Sequence, residues 1–139
     1  MIIDEITQIY LNSEHHKTKL SEAEARRYYE RSISLDLMQV YKQEGEIKGY
    51  VEIWRINDEQ LQRLLFDRPF DFYSEDLKSG PIAYIADVWI KSGERSRSII
   101  YKLYRMAREY GSECDYFSPA HPNKHGYFKI LKNMRNQHA

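Results

Sequence analysis

The sequence predicts one mixed α/β domain, a β-sheet with helices on both faces. Three stretches carry that expectation. Ile47–Arg55 is an apolar strand that pairs back on residues 37–42 across the turn Gln43-Glu44-Gly45-Glu46, forming a hairpin. Pro81–Ile90, rich in Ile, Val, Tyr and Trp, is the most strand-like segment of the chain. It leads through a helix over 98–110 to a strand at 114–118. Such a βαβ unit favours parallel pairing and a right-handed crossover.

The other elements follow in order. Ile2, Ile3, Ile6, Ile9 and Tyr10 recur at helical spacing and predict a helix over 2–12. Residues 12–17 break the pattern. Ser21 and Glu24 match a capping box, so a second helix runs over 21–34 with Arg26, Arg27, Glu30 and Arg31 on its outer face. Asn57 opens a short helix through Leu61, Leu64 and Leu65. Residues 67–80 form a long connection with Pro69 and three aromatics, a kind of segment that is often functional or mobile. Residues 91–97 are a polar loop. Ile99, Ile100, Leu103, Tyr104, Met106 and Ala107 give the third long helix its apolar face, and Gly111 stops it. A closing helix over 124–134 and a frayed tail over 135–139 are expected to end the domain, which spans 1–139.

Composition narrows the function. The 139 residues suit one domain, and 21 basic against 21 acidic side chains leave no net field for nucleic acid or an anionic membrane. No apolar run reaches the ~20 residues of a membrane span. Residues 1–5 lack the basic start of a signal peptide, so the cytoplasm is the expected compartment. The single cysteine, Cys114, excludes an internal disulfide and a multi-cysteine zinc site. Twelve Tyr and two Trp suit either core positions with hydroxyls reaching water or an aromatic groove for a partner.

One charge stands out. Asp87 sits in an otherwise apolar strand, where a carboxylate is costly unless paired or used. A residue of the right chemistry to partner it, His16, lies far upstream. His121 and His125 flank Asn123 in the last loop. Pro122 argues against one continuous helix there, and no nearby carboxylate completes a metal site, so none is expected.

The order of elements resembles the GNAT-type N-acetyltransferase fold. In that fold the loop after the central strand holds the donor pyrophosphate on backbone amides at a helix start. Here the loop reads Gly93-Glu-Arg-Ser96-Arg-Ser98, with Ser where the later glycines stand. A narrower resemblance rests on three motifs. Gly49-Tyr-Val-Glu-Ile-Trp54 is followed by Asp58 and Glu59. Glu75-Asp-Leu-Lys-Ser-Gly80 comes next, and then Tyr84-Ile-Ala-Asp87-Val-Trp-Ile90. Together these resemble the toxin-activating lysine acyltransferases, a branch of the same superfamily, over roughly residues 13–98. In that branch a catalytic His stands near the N-terminus in a Ser-x-x-His context, here Ser13-Glu-His15-His16. The chain departs from the pattern at Leu77 for Trp, at Ala86, an extra residue between Ile85 and Asp87, and at Lys91-Ser-Gly93. It also lacks the branch's long C-terminal part.

The resemblance implies an acyltransferase that moves an acyl group from a thioester donor to a lysine or other amine, on a protein. The donor is an acyl carrier protein or acyl-CoA, and no cofactor is held permanently. His16 is the candidate base or nucleophile, with His15 as the alternative one position away. Asp87 would orient the imidazole and stabilise its charged form. Arg95, Ser96, Arg97 and Ser98 would meet the donor phosphate, because a guanidinium fork matches phosphate oxygens. Tyr104 is the candidate acid for the leaving thiolate. An acetyl-CoA N-acetyltransferase and a non-catalytic, Tyr-rich binding module, suited to a phage or mobile element, are the competing expectations.

Overall fold

A computed structural model describes residues 2–13, 20–91, 96–111, 116–118 and 131–132. The elements are α1 (Ile2–Asn12), α2 (Glu22–Ser34), β1 (Met38–Gln43), β2 (Glu46–Ile56), α3 (Asp58–Leu65), β3 (Ile82–Ile90), α4 (Ser96–Tyr110), β4 (Tyr116–Ser118) and β5 (Leu131–Lys132). The strands form one sheet in the order β1-β2-β3-β4-β5. The β1–β2, β2–β3 and β4–β5 pairs are antiparallel, and β3–β4 is parallel, as the βαβ pattern requires.

Local chemistry sets the element ends. Ser21 accepts the Glu24 amide and Glu24 reaches back to the Ser21 amide, so two of the helix's orphan donors are satisfied. Asn57 and Gln60 do the same for α3. Glu44 and Gly45 both take positive φ (55° and 78°), the backbone of a two-residue hairpin turn whose twist matches the strands it joins.

The sheet is covered on both faces, so β2 reads as a nearly continuous apolar run rather than an alternating one. On one face Tyr50 packs with Ile3, Ile6 and Tyr10 of α1 and with Ala25 and Tyr29 of α2. Farther along that face, Trp54 and Ile56 meet Leu61 of α3 together with Phe72 and Leu77 of the following connection. On the other face Val51, Ile53 and Ala83 pack against Ile99, Leu103 and Ala107 of α4.

Two expectations change. The helix predicted over 124–134 is not continuous: Leu131–Lys132 is a short strand against β4. Pairing with the exposed edge of β4 satisfies backbone groups that helical periodicity alone does not reveal. The connection over 67–80 is docked structure. Leu77 is buried, its carbonyl accepts the Arg55 amide at 2.7 Å, and the Gly80 amide donates back to Arg55 at 3.1 Å. Arg63 holds Glu75 through two nitrogens at 2.8 and 2.9 Å, and the buried Gln60 amide donates to Glu75 and to the Asp76 carbonyl.

Candidate active site

The β2–β3 register shifts between Glu52 and Ile53. Glu52 faces Asp87 and Ile53 faces Ile85, which leaves Ala86 as the extra residue of a β-bulge. Ala86 packs on the Trp54–Tyr84 side of the sheet. Asp87 turns to that same side, toward α2. The residue that interrupts the sequence motif is therefore absorbed without sending the carboxylate to the α4 face.

Two carboxylates thus sit opposite each other under α2. Glu52 is 0% exposed. Its Oε1 accepts from Tyr28 Oη at 2.7 Å, and its Oε2 accepts from Ser32 Oγ and Trp54 Nε1, each at 3.0 Å. Tyr28 and Ser32 are one helical turn apart on α2, so a single carboxylate grips one stripe of the helix. Asp87 Oδ2 accepts from Tyr29 Oη at 3.2 Å and from Tyr50 Oη at 3.5 Å, and the two tyrosine oxygens are 3.2 Å apart. Burial, reinforced by the charge of Asp87 across the strand pair, pushes the Glu52 carboxyl up to about 7 against the pull of its three donors. Burial also raises Tyr28, Tyr29 and Tyr50, with the neighbouring carboxylates adding to it, so all three remain neutral donors at ordinary pH.

An aromatic wall surrounds this pair. Tyr29 meets Tyr10, Tyr28 and Tyr50 edge-on at 5.8, 5.1 and 6.1 Å between centroids, and Tyr50 stacks on Trp89 at 5.9 Å. Tyr10 Oη accepts the Leu20 amide at 2.7 Å. Beyond Trp89 a cleft of about 910 Å³ opens between the end of α1 (Gln8, Asn12, Ser13) and the end of β3 (Trp89, Ile90, Lys91).

β3 pairs with β4 only over Ile82–Tyr84. From Ile85 to Ile90 its second edge has no strand partner among the described residues. That edge runs directly toward the start of α4, whose first turn holds no acidic residue.

No protein-family model matches the sequence, and no curated protein matches it. Solved structures do. The loading GNATL domain of CurA from Lyngbya majuscula superposes with a TM-score of 0.58 at 12% identity, over 84% of this chain and 58% of that one. The fold is GNAT-like. The GphF GNAT-like decarboxylase in complex with isobutyryl-CoA gives 0.56 at 14% identity, over 84% and 60%. A predicted acetyltransferase with acetyl-CoA from Clostridium acetobutylicum gives 0.52 at 13%, over 91% and 81%. The chain thus spans about three-fifths of the first two.

Within this GNAT-like fold the expected site residues separate. Asp87 is held on the α2 face of β3. His16, its alternative His15, Arg95, His121 and His125 lie outside the described residues. Ser96 begins α4, and Arg97 and Ser98 are exposed in its first turn. Tyr104 is not brought near Asp87: α4 covers the opposite face of the sheet, and the Tyr104 ring is 39% exposed on its outer side. Glu52 and the Tyr28, Tyr29 and Tyr50 hydroxyls were missed. The signal existed, because Glu52 interrupts an apolar strand just as Asp87 does.

Proposed function

We propose that this protein transfers an acyl group from a thioester donor to a lysine or other amine, with a protein as acceptor and an acyl carrier protein as donor. The observation that carries this reading is the place of Asp87. It sits on the stretch of β3 beyond its pairing with β4, whose second edge has no strand partner among the described residues, and that stretch leads to the start of α4. An extended amide-bearing arm can add to such an edge as a further strand. Its phosphate would then reach Arg97, Ser98 and the amides of the first helical turn. The thioester would come to lie beside β3, over the Asp87 side.

In this reading His16 accepts a proton from the acceptor ammonium. The amine nitrogen attacks the thioester carbonyl, the C–S bond breaks, and the thiolate takes up a proton. Asp87 acts as a positioning residue for the imidazole, with Tyr29 and Tyr50 fixing its carboxylate. The flanks of the 14–19 segment support this arrangement. Ser13 is buried, and Leu20 is tied through Tyr10 to the ring of Tyr29, which holds Asp87. Tyr104 has no part in the proton transfers of this reading, because α4 packs on the face of the sheet opposite Asp87. An acyl carrier donor places the reaction in the cytoplasm. No helix among the described residues is long and apolar enough to cross a membrane.

The test is deacylation of a purified acyl carrier protein by wild type, His16→Ala and Asp87→Asn. A clear wild-type rate that falls about 10²–10⁴-fold in His16→Ala supports the reading. Equal rates in all three proteins would remove His16 and Asp87 from the mechanism. A second reading, an N-acetyltransferase using a coenzyme A thioester, draws on the acetyl-CoA and isobutyryl-CoA named with two of the structural relatives. Turnover of acetyl-CoA without turnover of the acyl carrier protein would select it.

A further inference from the structure

The outward side of α4 is unlike the rest of the surface. Arg97, Ile100, Tyr101, Tyr104, Arg105 and Arg108 recur at i, i+3, i+4, i+7, i+8 and i+11, which places them on one stripe of a helix with 3.6 residues per turn. Ile99, Leu103 and Ala107, on the other side, fill the core. Ile100, Tyr101 and Tyr104 are 51%, 63% and 39% exposed, three of the five large apolar side chains left exposed among the described residues. The stripe holds three arginines and no acid, in a chain whose charges cancel. Arg26 and Arg63 form ion pairs with carboxylates. Arg105 and Arg108 instead lie near the faces of Tyr101 and Tyr104, at 6.0 and 5.9 Å. Aromatic and Arg side chains together, with Lys and Glu kept to the flanks, are the composition of a protein-binding patch.

We propose that this stripe of α4 is the docking surface for the acidic face of the acyl carrier protein that delivers the donor thioester. The inference rests on the acyl-transfer reading above and goes further, because a free coenzyme A thioester would need only the start of α4. The stripe begins at Arg97, in the turn assigned to the donor phosphate, and runs about 16 Å to Arg108 at ~1.5 Å per residue. A carrier seated on it presents its phosphorylated arm at the N-terminal end, toward the stretch of β3 that has no second strand partner among the described residues. Positive charge on α4 complements an acidic helix and steers its encounter. The apolar rings supply the buried centre. Three arginines suit a small protein contact. Nucleic-acid grooves neutralise more phosphates, about 6–10 for a duplex binder.

The experiment measures binding of a purified holo-acyl carrier protein, without an acyl group, to wild type, Arg105→Glu/Arg108→Glu, Tyr101→Ala, and Arg68→Glu as a charge control away from α4. Wild type and Arg68→Glu should bind alike, with affinity falling as salt rises. The double reversal should bind at least about tenfold more weakly, chiefly through a slower association rate. Thermal melts of the α4 variants should match wild type, since the altered side chains are exposed. Equal binding by wild type and the double reversal, or no carrier binding by wild type, overturns the proposal. So does arginine-dependent capture of a single-stranded oligonucleotide with no capture of the carrier. The two readings fail separately. Arginine-dependent carrier binding without acyl transfer from any donor ends the enzymatic reading and keeps the docking surface. Equal acyl transfer from the carrier by wild type and the double reversal does the reverse.

Discussion

Replacing Glu52 by Gln tests the core of the site, because the structure makes Glu52 a carboxylate stable mainly in its protonated form. The folded group titrates at about 7, against 4.5 in the unfolded chain, with burial as the first cause. Between those values the native state holds a proton that the unfolded state has released. The stabilising contribution of Glu52 is therefore fully present below about pH 4.5, falls as pH rises toward 7, and then levels off. A displacement of that size corresponds to about 3 kcal/mol at ~1.36 kcal/mol per pH unit. Gln imitates the protonated acid. Its carbonyl oxygen can accept from Trp54 Nε1 and Ser32 Oγ, while its amide nitrogen donates to Tyr28 Oη. The assay is urea unfolding of wild type and Glu52→Gln from pH 4.5 to 8.5. The two should be nearly equal at the acid end, and Glu52→Gln should gain about 3 kcal/mol on wild type by pH 8, on the order of 10 °C in melting temperature. A stability difference that stays flat across that range would refute the buried, proton-holding carboxylate.

Other expectations follow from the same geometry. Gly80→Ala should destabilise the fold by about 3 kcal/mol in urea titrations, because its Cβ would lie 2.0 Å from the Ile56 backbone, which cannot rotate away. Ser21→Ala removes one side of the α2 capping box and should cost about 1 kcal/mol in the same titration, with acyl transfer retained. Glu75 is held down to about 2 by its bonds from Arg63 and then Gln60. Its contribution is present above the ordinary carboxylate range and lost as pH falls toward 2. Glu75→Ala at neutral pH should accordingly expose residues 67–80 to limited proteolysis before the sheet unfolds.

The sequence by itself determined most of the elements. Helical spacing in 2–12 and 98–110, the capping boxes at Ser21 and Asn57, and the Glu44–Gly45 turn are local signals that act within a few residues, and the chain obeys them. Helices on both faces of the sheet, and the crossover, were legible in the order of the elements. Asp87 was legible because an isolated charge in an apolar strand demands a partner. Tertiary structure decided the rest. Leu131–Lys132 became a strand because an edge of β4 was there to pair with, which no periodicity in 124–134 encodes. The Ala86 bulge, which lets an inserted residue pass while Asp87 keeps its side, depends on the register with β2. The partners of Glu52 come from α2 and from β2 itself. Their meeting required the capping box to set the phase of α2 and the sheet to bring residues 20 and more positions apart into contact. A carboxylate in a dry interior is defined by what surrounds it, and only the folded chain supplies those surroundings.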